Sequence, residues 1–233
     1  MQKKEYYKLL QENRKFDGIK YGSRVWEATK VLKQGENFVD IGCGTGTLLY
    51  QAKRYYSNVY GVDIAISEEL RIQESQFKLL EADVDKTGLP FEDNFFDTVS
   101  ALDVIEHVFD PVFLLEETYR VLKKGGQIIY TTPNVRDLRH LFALVAKGKF
   151  PHTSNERIGY NERIGYDGGH LHYFTHHDLK QLFKNVGFRE VKTSGLMTLD
   201  GRFATLKRLL RKGLNTSFIK EFLSPGIVIK AKK

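Results

Sequence analysis

FVDIGCGTGTLL, from Phe38 to Leu49, decides the reading of this 233-residue chain. An apolar run closes at Ile41, glycines follow at 42, 44 and 46, and Leu48 and Leu49 resume the apolar pattern. That order reads as a buried strand, a tight turn and a helix. Glycine in such a turn admits positive φ and lets a ligand approach the backbone with no Cβ in its way. The turn also aims helix N-terminal N–H groups at whatever lies above them. The next apolar run, VYGVD, ends on Asp63, whose carboxylate can accept hydrogen bonds from a ribose diol. A small molecule carrying a ribose is therefore expected here.

A dinucleotide site reads G-x-G-x-x-G. In this chain the sixth position counted from Gly42 is Thr47, and the spacing is G-x-G-x-G. That spacing, with Asp40 two residues ahead, resembles motif I of the class I S-adenosylmethionine-dependent methyltransferases. Three later stretches are similar to that family in the same order. FKLLEAD (77–83) ends in an acid, and LPFEDNFFDTVSALDVIEHVFDP (89–111) holds a Pro-Phe turn, a strand and a Glu-His pair. VLKKGGQIIYTTPN (121–134) matches a Gly-Gly turn and fifth strand. The likeness is strong over 25–134 and weaker beyond, and is greatest to the small-molecule branch that includes ubiquinone-type O-methyltransferases.

The resemblance implies an α/β, Rossmann-like three-layer sandwich whose seven-stranded, mostly parallel sheet ends on an antiparallel strand. It implies S-adenosylmethionine as cofactor and S-adenosylhomocysteine as product. The residues it places around them are Asp40, Gly42, Cys43, Gly44, Gly46, Asp63, Ile64, Asp83, Val84 and Leu102. Asp63 would hold the ribose, Asp83 the adenine edge, and backbone near Leu102 the adenine or methionine side. Asp40 would fix the glycine turn or touch the cofactor's amino group.

Periodicity locates strands near 38–41, 58–62, 77–81, 98–102, 127–131, 188–193 and 226–231. Helices are expected near 24–32, 47–55, 67–74, 112–122 and 175–186, with a loop after the third strand. Alternating strands and helices argue for a parallel sheet covered on both faces. One domain over 1–233 is the natural organisation at this length. Tyr6, Tyr7, Phe16 and Tyr21 make an aromatic N-terminus, about 1–24, expected to act as a lid. Segments 135–174 and 197–224 are left over and are expected to cover the substrate. The first holds the apolar helical patch DLRHLFALVAKGKF and a tandem NERIGY; the second holds RFATLKRLLRKG.

Hydrophobic residues make up 41%, an ordinary value for a globular protein, and no apolar run approaches the length of a membrane span. The N-terminus lacks a secretory pattern, so the cytoplasm is the expected compartment. The single cysteine, Cys43, excludes an internal disulfide, a Cys-x-x-Cys zinc site and a cysteine-held iron–sulfur cluster. Between residues 136 and 212 there are 15 Lys/Arg against 7 Asp/Glu, so the net charge of +7 is concentrated there. Such a segment suits a small anionic or lipid-linked acceptor, a membrane surface or nucleic acid; a solvated helix face is the equal alternative.

The catalytic candidates are His107, His170, His172 and Tyr173. His107 follows the fourth strand, at the edge where open α/β sheets bind ligands, and either acts on the acceptor or holds its loop. His170 and His172 flank Leu171 and share a side if the segment is extended. One of them is expected to orient or deprotonate an acceptor hydroxyl. With no acid or cysteine cluster adjacent in sequence, no metal ligands are assigned. His176 and His177, in the first turn of a helix, are expected at the surface, as are Tyr119 and Lys123, whose Y-x-x-x-K spacing lies in the wrong context for a dehydrogenase. The stretch ALDVIEH differs from the D/N-P-P-Y/F of amino-methylating nucleic-acid enzymes, and no cysteine stands there for cytosine C5 chemistry. An RNA methyltransferase and a non-catalytic cofactor-binding module are the remaining alternatives. Neither the acceptor nor the oligomeric state is encoded legibly.

Overall fold

Side chains alternate across each strand, and here each side meets its own core. Val39, Ile41, Ile128, Tyr130, Ile227 and Ile229 pack into one cluster, while Phe38, Ile129 and Val228, from the positions between, pack into another. That period of two on both faces is what a sheet sandwiched between helix layers requires. The computed structural model describes residues 22–72, 76–148, 169–196 and 217–233, together with Lys4, Lys8 and Ile19.

In chain order the elements are α1 (Arg24–Thr29), β1 (Gly35–Ile41), α2 (Thr47–Ala52), β2 (Tyr56–Asp63), α3 (Glu68–Arg71) and β3 (Lys78–Glu81). Then come α4 (Val84–Thr87), β4 (Phe96–Leu102), α5 (Pro111–Val121), β5 (Leu122–Pro133) and α6 (Leu138–Lys147). The chain continues through α7 (His176–Val186), β6 (Arg189–Leu196), α8 (Ser217–Phe222) and β7 (Gly226–Lys232). The sheet order is β3-β2-β1-β4-β5-β7-β6. β1 pairs in parallel with both β2 and β4, whereas β7 is antiparallel to β5 and β6, as the family resemblance implied. One face is covered by Leu114, Leu115 and Val121 of α5 with Leu179 and Phe183 of α7. The other is covered by Ala28 of α1 and Leu48, Leu49 and Ala52 of α2.

Caps explain where the helices start. Ser23 accepts from Trp26 N at 3.3 Å, Asp110 accepts from the backbone of Val112 and Phe113, and Pro111 opens α5. Thr175 accepts from Asp178 N at 3.2 Å and donates to the Asp178 carboxylate, so T-H-H-D is the start of α7. Gly187 closes that helix at φ +116°.

Three expectations need correction. The connection after β3 is not a plain loop: Asp83 accepts from Asp85 N and caps the one-turn helix α4. His176 is buried rather than exposed, because α8 lies against it and its Nε2 meets the Lys220 carbonyl at 3.0 Å. Burial, then the nearby Lys220 charge, pushes that imidazole down to about 3, so it stays neutral. Tyr119 and Lys123 are both partly buried and structural: Tyr119 packs edge-on against Phe188, and Lys123 binds Asp97 and Glu36.

β3-β2-β1 runs one way from the centre of the sheet and β4-β5 the other, so the order reverses between β1 and β4. Open α/β sheets bind ligands at the carboxyl ends of the two strands flanking such a point. No helix among the described residues is long and apolar enough to cross a membrane.

Candidate functional site

The glycine loop leaves β1 by a sharp bend in which Gly42 N and Cys43 N both donate to the Val62 carbonyl, at 2.7 and 3.1 Å. Gly42, Gly44 and Gly46 all have positive φ. At Gly42 (φ +69°) a Cβ would stand 2.5 Å from Val104 Cγ2, and at Gly46 (φ +76°) 2.6 Å from Leu70 Cδ1. Both positions thus demand glycine twice over, for conformation and for space. Cys43 is buried in the core; burial, then the charges of Asp63 and Asp40, pushes its thiol well up. It is a packing residue of the loop rather than a nucleophile.

Asp63, at the end of β2, braces that loop. One carboxylate oxygen accepts from Gly44 N at 2.9 Å and the other from Ala65 N at 3.1 Å. These two bonds fix the orientation of the carboxylate, whose oxygens offer about four lone-pair sites in all. Ile64 follows it, half-buried. Asp40 lies beneath, buried, and accepts from Ser100 Oγ at 2.7 Å. Burial raises its pKa to about 7 against the Ser100 hydrogen bond, and the Asp63 charge adds to the rise. Asp83 pairs with Lys86 at 3.2 Å besides capping α4, and Val84 packs against the core as that helix's first residue.

Beyond the half-buried Leu102 the backbone of Asp103 turns to φ +56°. Thr131 Oγ1 donates to its carboxylate at 2.6 Å, and Arg24 of α1 ion-pairs with it. Burial drives this acid up, but the Arg24 charge and the two hydrogen bonds win and hold it below the usual carboxylate range. Sequence reading missed this ion pair, since 79 residues separate the partners. An acid directly after the fourth strand was its only visible signal.

The histidines converge on the turn after β4. His107 Nδ1 lies 3.1 Å from the Gly169 carbonyl, and the rings of His107 and His170 meet edge to face at 4.5 Å. His172 Nε2 lies 3.3 Å from the Phe109 carbonyl, and the amides of Leu171 and His172 both donate to the Glu106 carbonyl. His170 and His172 therefore reach one loop at two different points. Tyr173 is half-buried in the same segment. Sequence reading noted the Glu106-His107 pair but gave Glu106 no role. The structure places its buried carboxyl beside His107 and His170.

Parts of the expected periphery lie outside the described residues: Tyr6, Tyr7, Phe16, Tyr21, both NERIGY copies, and Phe203, Leu206 and Leu210 with their neighbouring cations. Lys4 ion-pairs with Glu81 at the end of β3. In α6, Phe142 and Val145 are exposed and none of its residues is buried.

A family model described as a methyltransferase domain matches residues 11–193. An uncharacterised protein of Methanocaldococcus jannaschii is 29% identical, the match covering 99% of this chain and 91% of that one. A ubiquinone biosynthesis O-methyltransferase of Pseudomonas entomophila is 30% identical over 52% of this chain and 54% of its own length, so the chain spans about half of such relatives. The crystal structure of a SAM-dependent methyltransferase from Archaeoglobus fulgidus superposes with a TM-score of 0.60 at 22% identity, covering 90% of this chain and 91% of that one. With the glycine loop, the switch point and this match in agreement, the chain belongs to the methyltransferase-domain family.

Proposed function

We propose that the chain transfers the methyl group of S-adenosylmethionine to an oxygen or nitrogen of a small acceptor bearing an anionic or lipid-linked part. The observation that carries this reading is the contact across the switch point. Gly42, in the cofactor loop, packs against Val104, three residues before His107. The cofactor loop and the histidine cluster thus stand side by side at the ends of neighbouring strands.

The cofactor's sulfonium already activates its methyl group, so the protein's work is alignment and exclusion of water. Asp63 holds the ribose, Asp83 meets the adenine edge, and Asp40 steadies the turn and the cofactor's amino group. The Gly169 carbonyl can only accept, so His107 Nδ1 carries the proton and Nε2 keeps a lone pair. That nitrogen, or an imidazole of His170 or His172, takes the acceptor's proton. S-adenosylmethionine, when bound, would supply the methyl group, its sulfur–methyl bond exchanged for the acceptor–methyl bond, and would be released as neutral S-adenosylhomocysteine. The Lys4–Glu81 ion pair, at the end of β3, supports an N-terminal cover for the site. The cation excess and the exposed apolar residues of α6 suit the acceptor's anionic or lipid part. A buried single cysteine is compatible with the cytoplasm.

Incubating the full chain with methyl-labelled cofactor and fractionated cell extract tests the reading, with label expected in one small-molecule product. Label in RNA, with activity falling steeply as salt rises, selects an RNA acceptor instead. Tight S-adenosylhomocysteine binding without label in any fraction selects the non-catalytic module.

A further inference from the structure

We infer that Glu106, His107 and His170 bind one divalent transition-metal ion of the zinc, cobalt or nickel type. Each supplies one ligand atom, and these atoms all lie within 4.8 Å of one another. Ligands sharing an ion at about 2.0–2.2 Å sit somewhat closer than that, so small side-chain rotations complete the cluster.

An independent observation points to a cation. Glu106 is 1% exposed, and neither of its carboxylate oxygens has a hydrogen-bond partner. Buried carboxylates are ordinarily hydrogen-bonded, paired or metal-bound. The Thr132 hydroxyl stands beside the Glu106 carboxyl without forming a well-aligned hydrogen bond to it.

The surroundings arrange the donors as a metal site does. The Gly169 carbonyl takes the Nδ1 proton of His107, which leaves Nε2 as the ligand and fixes the ring, the usual support for a metal-bound histidine. The Glu106 carbonyl accepts from Leu171 N at 2.8 Å and His172 N at 3.2 Å. These bonds clamp the turn after β4 to the segment that carries His170. Two imidazoles and one carboxylate select zinc-like ions over magnesium or calcium, which prefer oxygen alone. Three protein ligands also leave a coordination position open. On the methyltransferase reading, the acceptor's oxygen or nitrogen would occupy it, and with His107 and His170 held as ligands its proton would pass to His172; binding of the ion does not depend on that reading.

The test uses the full chain, stripped with chelator and titrated with Zn²⁺ by calorimetry and with Co²⁺ by visible absorption. One equivalent is expected, with cobalt bands of a four- or five-coordinate site. Glu106→Gln and His170→Ala should each weaken Zn²⁺ affinity at least tenfold. S-adenosylhomocysteine affinity, measured on the same samples, should stay within twofold for His170→Ala, which shows that this variant is folded. A wild-type chain that takes up no stoichiometric ion overturns the site, as does unchanged Zn²⁺ affinity in both variants. Loss of S-adenosylhomocysteine binding with retained Zn²⁺ binding counts against the methyltransferase reading and supports the metal site.

Discussion

The two sides of the switch point are built differently. On the cofactor side the acids are braced from the loop and from β4: Asp63 holds two backbone amides, Ser100 holds Asp40, and Gly42 and Gly46 leave no room for a Cβ. On the acceptor side a carboxylate is buried without a hydrogen bond, and α6 next in sequence exposes Phe142 and Val145. Pre-organised binding of one fixed ligand asks for the first construction. A site finished by something that arrives later, an acceptor or an ion, fits the second. Mutations should therefore separate cleanly: cofactor-side changes act on affinity and stability, acceptor-side changes on turnover.

The largest effect expected is on turnover. Removing an imidazole that moves the acceptor's proton should cost about 10²–10⁴-fold in kcat, so His107→Ala or His170→Ala should fall in that range with S-adenosylhomocysteine affinity nearly unchanged. Steady-state kinetics on the identified acceptor, paired with calorimetry, checks the split. Cofactor affinity falling together with kcat would erase the distinction between the two sides.

Gly42→Ala should come next. It forces an L-residue into positive φ and drives a Cβ to 2.5 Å from Val104. Strain and overpacking together should destabilise the fold by about 2–4 kcal/mol, read as a lower urea midpoint at unchanged slope. A midpoint equal to wild type would mean that the loop has slack. Asp63→Ala should weaken S-adenosylhomocysteine binding by about 1–3 kcal/mol, the scale of hydrogen bonds to a charged acceptor. Isothermal calorimetry reads it directly, and unaltered affinity would remove Asp63 from the site.

How far the sequence reaches depends on the range of the interactions involved. The glycine loop, Asp63 and strands β1 to β5 were legible because strand-turn-helix grammar is local and the apolar period is written in each segment. The turn of α4 was not, since Val84–Thr87 is too short for a helical period to register. His176 was misjudged because the carbonyl that meets it lies 44 residues away, on α8. The Glu106 cluster was hidden for the same reason: the adjacent Glu-His pair is visible, whereas His170 arrives from beyond a long insertion. Arg24 and Asp103 are a third long-range case, unreadable before the fold places α1 beside β4.

The smallest effect predicted is one of pH. Asp40 titrates near 7 in the folded chain against a normal value of 3.8, because burial favours its neutral form. A folded pKa above the unfolded one means that the native state holds the proton more tightly. Its contribution to stability is therefore largest below the unfolded pKa and is lost as pH rises through 7. Cofactor binding has the opposite sign if the cofactor's ammonium pairs with ionised Asp40: affinity should fall by up to about tenfold per pH unit below 7. Asp40→Asn should flatten that profile. A wild-type profile already flat between pH 5 and 8 would assign Asp40 to the turn alone.

The central claim is that the G-x-G-x-G loop and Asp63 receive S-adenosylmethionine rather than a dinucleotide. Calorimetric titration of the full chain with S-adenosylhomocysteine and, separately, with NAD tests it most directly. The account predicts saturable one-to-one binding of S-adenosylhomocysteine, weakened in Asp63→Ala, and no heat from NAD. Tight NAD binding with no response to S-adenosylhomocysteine would contradict it.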